Sequence, residues 1–251
     1  MHSKKIIKGI TGLFGFIGHG YPLRFNYEKK NLIDYAFNHP DLNLRSLADL
    51  GGVWKIDGAY TFYAMDRYRL KQAFLVDTNF SNRVKNNSKK YPGLVLINDN
   101  FGQESVINRI KSVDAVLMFD ILLHQVKPDW NEILEMYSGI SKVILIYNQQ
   151  YTAAQQSIRL LDLGKEKYLE LLPFARKRPL YEELFNKPDE INPEHNRPWR
   201  DIHNVWQWGI TDLDLKEVMS RLGFELKYYK NDGQFSNLDH FENHAFVFIK
   251  K

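Results

Sequence analysis

Four short apolar runs in the first half of this chain each end in a carboxylate, and that repeat limits the fold more than any other feature of the sequence. They are Leu47-Ala48-Asp49, Ala73-Phe74-Leu75-Val76-Asp77, Leu94-Val95-Leu96-Ile97-Asn98-Asp99 and Ala115-Val116-Leu117-Met118-Phe119-Asp120. Runs of this length read as buried strands, and the segments between them carry helical spacing, so a parallel sheet with helices on both faces is expected. Parallel strands put their carboxyl ends on one edge, where open α/β sheets bind ligands. The four acids should therefore share one rim. The first run breaks into Gly51-Gly52, which lets a ligand approach the backbone closely.

The surrounding segments complete the expectation. Residues Lys29 to Phe37 read as a helix covering the sheet and Asp57 to Leu70 as a crossover helix. Asn82 to Pro92 is polar and turn-rich. Gln103 to Lys111 and Asp129 to Tyr137 are further crossovers, and Lys142 to Tyr147 is a fifth strand. Residues 148–211 break the alternation with an expected helix from Ala153 to about Leu172, a second from Leu180 to Phe185, and a Pro-rich passage. A connection of that length is a lid or cap rather than an ordinary loop. Asp212 to Leu222 follows as a helix, and then Phe224 to Tyr229 and His244 to Ile249 as a closing antiparallel pair. The expected organisation is an arm and helix over 1–40, an α/β core over 41–147, a helical cap over 148–211 and a completing helix and hairpin over 212–251.

Asp49-Leu50-Gly51-Gly52, Asp77, Asp99-Asn100 and Phe119-Asp120-Ile121-Leu122-Leu123-His124, taken in that order, resemble the motifs of the class I S-adenosylmethionine (SAM)-dependent methyltransferases. That resemblance implies a doubly wound, mostly parallel Rossmann-like sheet with an antiparallel terminal strand. It implies SAM as cofactor, held by Asp49, Gly51, Gly52, Asp77, Thr78, Asp99, Asn100, Phe101, Phe119 and Asp120. Asp77 would take the ribose, the Asp99-Asn100 turn the adenine, and Asp120 the neighbourhood of the reacting methyl. The glycine loop departs from the family pattern, because Trp54, Lys55 and Ile56 stand where later glycines are usual.

The cap gathers His195, Arg197, Trp199, Arg200, His203, Trp206 and Trp208 in one stretch. Indoles stack on rings and sugars, and arginines bind phosphate or carboxylate bidentately. Arg197, Trp199, Arg200 and Trp206 are thus the expected acceptor-binding residues, with His203 as proton acceptor and Asp120 or His124 as alternatives. The expected activity is O-methylation of a small polar acceptor such as a sugar, a nucleotide-sugar or a phosphorylated metabolite. A competing signal lies at Ile10 to Gly18, where Gly12, Gly15 and Gly18 match the Thr-Gly-x-x-Gly-x-x-Gly turn of short-chain dehydrogenases and epimerases that use NAD(P). Gly20, Pro22 and the polar run after Asn26 interrupt the helix such a turn should open, and no tyrosine has a lysine four residues on. A third possibility is a SAM-binding subunit without turnover.

Composition excludes several classes. The formal charge of +4 is slight and no basic stripe interleaved with aromatics runs through the core, so no nucleic-acid partner is expected. No apolar run is long enough to span a bilayer, and no small-residue cleavage site follows the basic start, which points to the cytoplasm. Zero cysteines exclude disulfides and thiol catalysis. No His/Asp set has metal-ligand spacing, so no metal is expected.

Overall fold

The computed structural model describes residues 14–17, 21–24 and 26–251. A hairpin of β1 (Phe14–Ile17) and β2 (Tyr21–Arg24) comes first, then α1 (Tyr27–Phe37). The core alternates β3 (Ser46–Leu50), α2 (Ala59–Tyr68), β4 (Gln72–Asp77), α3 (Asn82–Ser88), β5 (Leu94–Asn98), α4 (Glu104–Ile110), β6 (Val113–Phe119), α5 (Trp130–Ser138) and β7 (Ser141–Tyr151). Next come β8 (Ile158–Arg159), α6 (Lys165–Leu171), α7 (Pro179–Asn186), β9 (Ile191–Asn192), β10 (Arg197–Pro198) and β11 (Trp208–Gly209). α8 (Asp212–Arg221), β12 (Phe224–Gln234) and β13 (Phe241–Lys250) close the chain.

Seven strands form one sheet in the order β12-β13-β7-β6-β3-β4-β5. β3, β4, β5, β6 and β7 pair in parallel, while β13 runs antiparallel between β7 and β12. The expected doubly wound sheet with an antiparallel final strand is thus the observed one. The order reverses between β3 and β6, so the ligand crevice of such a sheet falls there. Both faces are covered because the strands alternate. Ala48, Leu50, Val116 and Met118 meet α4, α5 and α8, whereas Leu47, Ala115 and Leu117 meet α1 and α2. Each such leucine or isoleucine removed from water contributes roughly 1.5–3 kcal/mol.

A third apolar cluster sits beyond the sheet. Leu160, Tyr168, Leu172, Tyr181, Ile202 and Trp206 pack together and reach the core through Leu123, Tyr151 and Phe241. The long helix expected from Ala153 to Leu172 is not there. The strand β8, a short 3₁₀ turn over Leu160–Leu163 and α6 replace it, because Gly164 takes φ +81° and no α-helix passes through that geometry. The turn-rich stretch after residue 82 instead holds α3, whose N-terminus is capped by Ser81 Oγ accepting from the Val84 N–H at 3.2 Å. Among the described residues no helix is long and apolar enough to cross a membrane.

Candidate functional site

The four carboxylates stand along one edge of the sheet, each within one residue of the end of its strand. Their environments differ. Asp49 is buried, 1% exposed, and its Oδ2 accepts from Thr61 Oγ1 at 2.7 Å. Burial pushes its carboxyl up to about 6, against the Thr61 hydrogen bond, which works to lower it. Gly52 packs directly on this group, since a Cβ there would fall 2.4 Å from Asp49 Oδ2. Asp49 therefore faces the protein and orders the loop.

Asp77 is half-buried and its Oδ2 accepts from the Val53 N–H at 3.1 Å, tying the loop after β3 to the end of β4. Burial raises its pKa despite backbone hydrogen bonds from Val53, Asn79 and Thr78. Thr78 is exposed beside it, and its carbonyl accepts from Asn98 Nδ2 at 2.7 Å. Asp99 spends its oxygens locally, on the Asn100 N–H at 2.8 Å and Ser105 Oγ at 3.1 Å. Asn100 Oδ1 accepts from the Gly102 N–H at 2.8 Å, which closes the turn.

Gly51 joins three of these segments. It takes φ +68°, its N–H donates to the Val76 carbonyl at 2.8 Å, and a Cβ on it would meet Ile121 Cγ2 at 2.9 Å and Phe101 Cε1 at 3.7 Å. Only glycine keeps the space between Ile121 and Phe101 open. The loop after Gly52 bends through left-handed backbone at residues other than glycine. Lys55 and Asp57 hold φ +63° and +50°, so ordinary residues carry left-handed backbone in a ligand-side loop. Trp54 beside them is 75% exposed, with the Lys55 ammonium 4.0 Å from its ring centroid.

Asp120 follows the buried Phe119 at the end of β6 and also takes a left-handed backbone, φ +57°. Its carboxylate pairs with Lys29 of α1, and Gln149 Nε2 of β7 donates to its other oxygen at 2.8 Å. Tyr147 stands beside this group, accepting from Asn26 Nδ2 at 3.0 Å and donating to Asp232 at 2.9 Å. Sequence reasoning missed Lys29 and Gln149. The signal for Lys29 was present, since it lies on the apolar stripe of α1 with Leu32, Ile33 and Ala36.

The cap residues divide. His203 Nε2 lies 2.9 Å from the Val126 carbonyl and also meets Arg197 Nη1, and its Nδ1 lies 3.3 Å from Asn100 Nδ2. Burial holds its pKa down at about 4. With one nitrogen given to a backbone carbonyl and the other to an amide, His203 is a neutral strut between cap and rim rather than a free base. His124 is spent similarly, with Nδ1 2.6 Å from the Val205 carbonyl and burial lowering its pKa. Trp206 is 8% exposed and packs edge-on against Phe241, 5.0 Å between centroids, so its indole fills the cap core instead of a binding face. Arg197 donates to the Asp201 carbonyl at 3.0 Å. Trp199 is half-buried, and Arg200 is partly open, with Asp162 and Asp189 at 3.4 and 3.6 Å.

The N-terminal glycine motif does not form a strand-to-helix turn where it can be seen. Gly15 lies within β1, paired with Leu23 in an antiparallel hairpin, while Gly12 and Gly18 lie outside the described residues.

No protein-family model matches the sequence, and no curated protein matches it. Solved structures do match in shape. The N-terminal domain of EvdMO1, solved with S-adenosylhomocysteine (SAH) and D-fucose, is 14% identical with a TM-score of 0.57, over 96% of this chain and 91% of that one. The 1,6-didemethyltoxoflavin-N1-methyltransferase of Burkholderia thailandensis, solved with its substrate and SAH, is 9% identical with a TM-score of 0.55, over 90% and 79%. Magnesium protoporphyrin IX methyltransferase of Synechocystis PCC 6803, with bound SAH, is 8% identical with a TM-score of 0.54, over 89% and 81%. In strand order and in these likenesses, the chain has the fold of the class I SAM-dependent methyltransferases.

Proposed function

We infer that this chain is a SAM-dependent methyltransferase acting on a small polar acceptor, with transfer to oxygen. The observation that carries the reading is Gly51, at the β3/β6 reversal, meeting Ile121 and Phe101, with Asp77 tied to the same loop through the Val53 N–H. The rim fits the cofactor part by part. Asp77, with backbone N–H groups on three of its lone pairs, keeps one for a ribose hydroxyl. Phe101 and Ile121, kept apart from a side chain at Gly51, offer an apolar slot for adenine. Phe119, Thr78, Asp99, Asn100 and Gly52 shape the walls, and Asp49 acts through the loop it orders. Bound SAM supplies a methyl on a sulfonium, and the protein's part is to bring a nucleophile in line with it.

Residues 148–211 are read as the acceptor cap, with Arg200 and Trp199 as its more open polar and stacking groups. Arg197, Trp206 and His203 hold the cap's shape. Of the groups expected to receive a proton, Asp120 is the one at the sheet edge with a partly open carboxylate. D-fucose in the structurally similar EvdMO1 domain supports a sugar acceptor.

Isothermal titration with SAH and with NAD tests the cofactor. Binding of SAH alone is expected, and binding of NAD alone would return the N-terminal glycines to consideration. Transfer of radiolabelled methyl from SAM to D-fucose or glucose 6-phosphate then separates an enzyme from a SAM-binding subunit without turnover.

A further inference from the structure

Lys29 lies in the i, i+3, i+4, i+7 stripe that α1 turns toward the sheet, and it is only 8% exposed. A long cationic side chain in that position ordinarily carries its charge outward to water. This one turns inward. Its ammonium pairs with Asp120 and lies over three rings, with centroids at 4.9 Å for Tyr147, 5.8 Å for Phe119 and 6.0 Å for Tyr60. Ring faces attract a cation, most strongly where water is excluded, so the ammonium is held from several sides. Gln149 Nε2 fixes the opposite oxygen of Asp120 at 2.8 Å.

We propose that Lys29 is a positioning residue for methyl transfer, which with Gln149 aims the Asp120 carboxylate at the acceptor. The inference rests on the methyltransferase reading above. A carboxylate has about four lone-pair sites; Lys29 and Gln149 use one on each oxygen and leave one on each for the acceptor. As the acceptor's lone pair forms the new bond to the methyl carbon, the carbon–sulfur bond breaks and its electron pair stays on sulfur, giving the neutral thioether. The acceptor's proton passes to Asp120. The left-handed backbone at Asp120 brings the carboxylate out at the strand end, and the buried ammonium keeps it from turning away.

The test uses the full chain, with SAH titrations and radiolabelled methyl transfer to D-fucose and glucose 6-phosphate. Lys29→Met should bind SAH within about threefold of the unmodified protein and keep KM for the acceptor, while kcat falls about 10–100-fold, the scale of losing orientation alone. In Lys29→Ala, propylammonium should restore turnover and propanol should not, because the vacancy calls for charge as well as volume. Gln149→Leu, which leaves α1 untouched, should lower kcat in the same way. A Lys29→Met enzyme with kcat within twofold of the original overturns the role, as does equal rescue by propanol. An unmodified protein that fails to bind SAH, or that methylates neither probe, overturns the methyltransferase reading and this inference together. SAH binding with normal turnover in Lys29→Met overturns this inference alone.

Discussion

Asn100 Nδ2 lies 3.3 Å from His203 Nδ1, a contact that joins the turn after β5 to the segment between β10 and β11. It links the rim to the segment 148–211, the two places proposed above for cofactor and acceptor. The link is made of neutral partners, since burial keeps the imidazole's pKa near 4.

Replacing His203 with leucine should remove this strut. A loss of about 1–3 kcal/mol in unfolding free energy is expected from the orphaned Asn100 amide and from the Val126 carbonyl, left with only Arg197 Nη1 at 3.5 Å. Because the native pKa is depressed from 6.5 to about 4, the unfolded state binds the extra proton and His203 costs stability as pH falls through that window. The gap between wild type and His203→Leu should therefore narrow from pH 7.5 to pH 4.5 in urea titrations. A turnover profile whose acid-side limb vanishes with His203 would instead make it the proton acceptor.

Asp77→Asn should weaken SAH binding about 10–100-fold in calorimetry, which corresponds to losing a charged hydrogen-bond acceptor worth about 1.5–3 kcal/mol. Part of the loss comes from the loop itself, because Val53 loses its anionic partner. Unchanged affinity in a folded variant would move the ribose elsewhere.

Lys55→Gly should raise stability by about 1 kcal/mol, since a side chain at φ +63° carries a steric cost that glycine lacks. SAH affinity should hold or improve. A destabilised Lys55→Gly protein would mean that the ammonium on Trp54 contributes more than the backbone costs.

His244 is squeezed between Asp212 Oδ1 at 2.7 Å and Glu242 Oε2 at 3.2 Å. Burial works to lower its pKa, but the two carboxylates overcome burial and raise it above 6.5. Its contribution to stability is fully present below pH 6.5 and is lost as pH rises through the higher native value. Asp212 answers on the acid side: burial opposes its charge, yet His244 and Lys216 push it down to about 2, so its contribution fades as pH falls from 3.8 toward 2. Urea midpoints for the wild type should decline between neutral and mildly alkaline pH, and His244→Gln should flatten that decline.

The sheet was legible because each buried strand is a run of apolar residues stopped by an acid, a pattern that survives without knowledge of neighbours. Less was legible where tertiary pairing overrides polarity. Asn148, Gln149 and Gln150 look like loop, yet they extend β7 because β13 pairs with them through His244, Asn243 and Glu242. Asn231 and Asp232 similarly belong to β12 rather than to a turn. In the cap, aromatic and basic residues looked like ligand contacts, but Trp206 and His203 hold the cap together, a choice decided by burial that sequence spacing does not carry. The carboxylates were found in place. Their division of labour was not, because it depends on Thr61, Lys29 and Gln149 reaching them from other elements.

The sheet ends on β5 and β12, and these two strands govern how copies of the chain treat one another. An unpaired strand edge is a template for another strand, and long apolar edges grow into aggregates. β5 is only 5 residues long. β12 is long, but Glu225, Lys227, Lys230 and Asp232 line it and register shifts interrupt its pairing with β13. Neither edge offers the flat, uncharged ladder that a second copy needs. Concentrated solutions should resist growth by extension of this seven-stranded sheet.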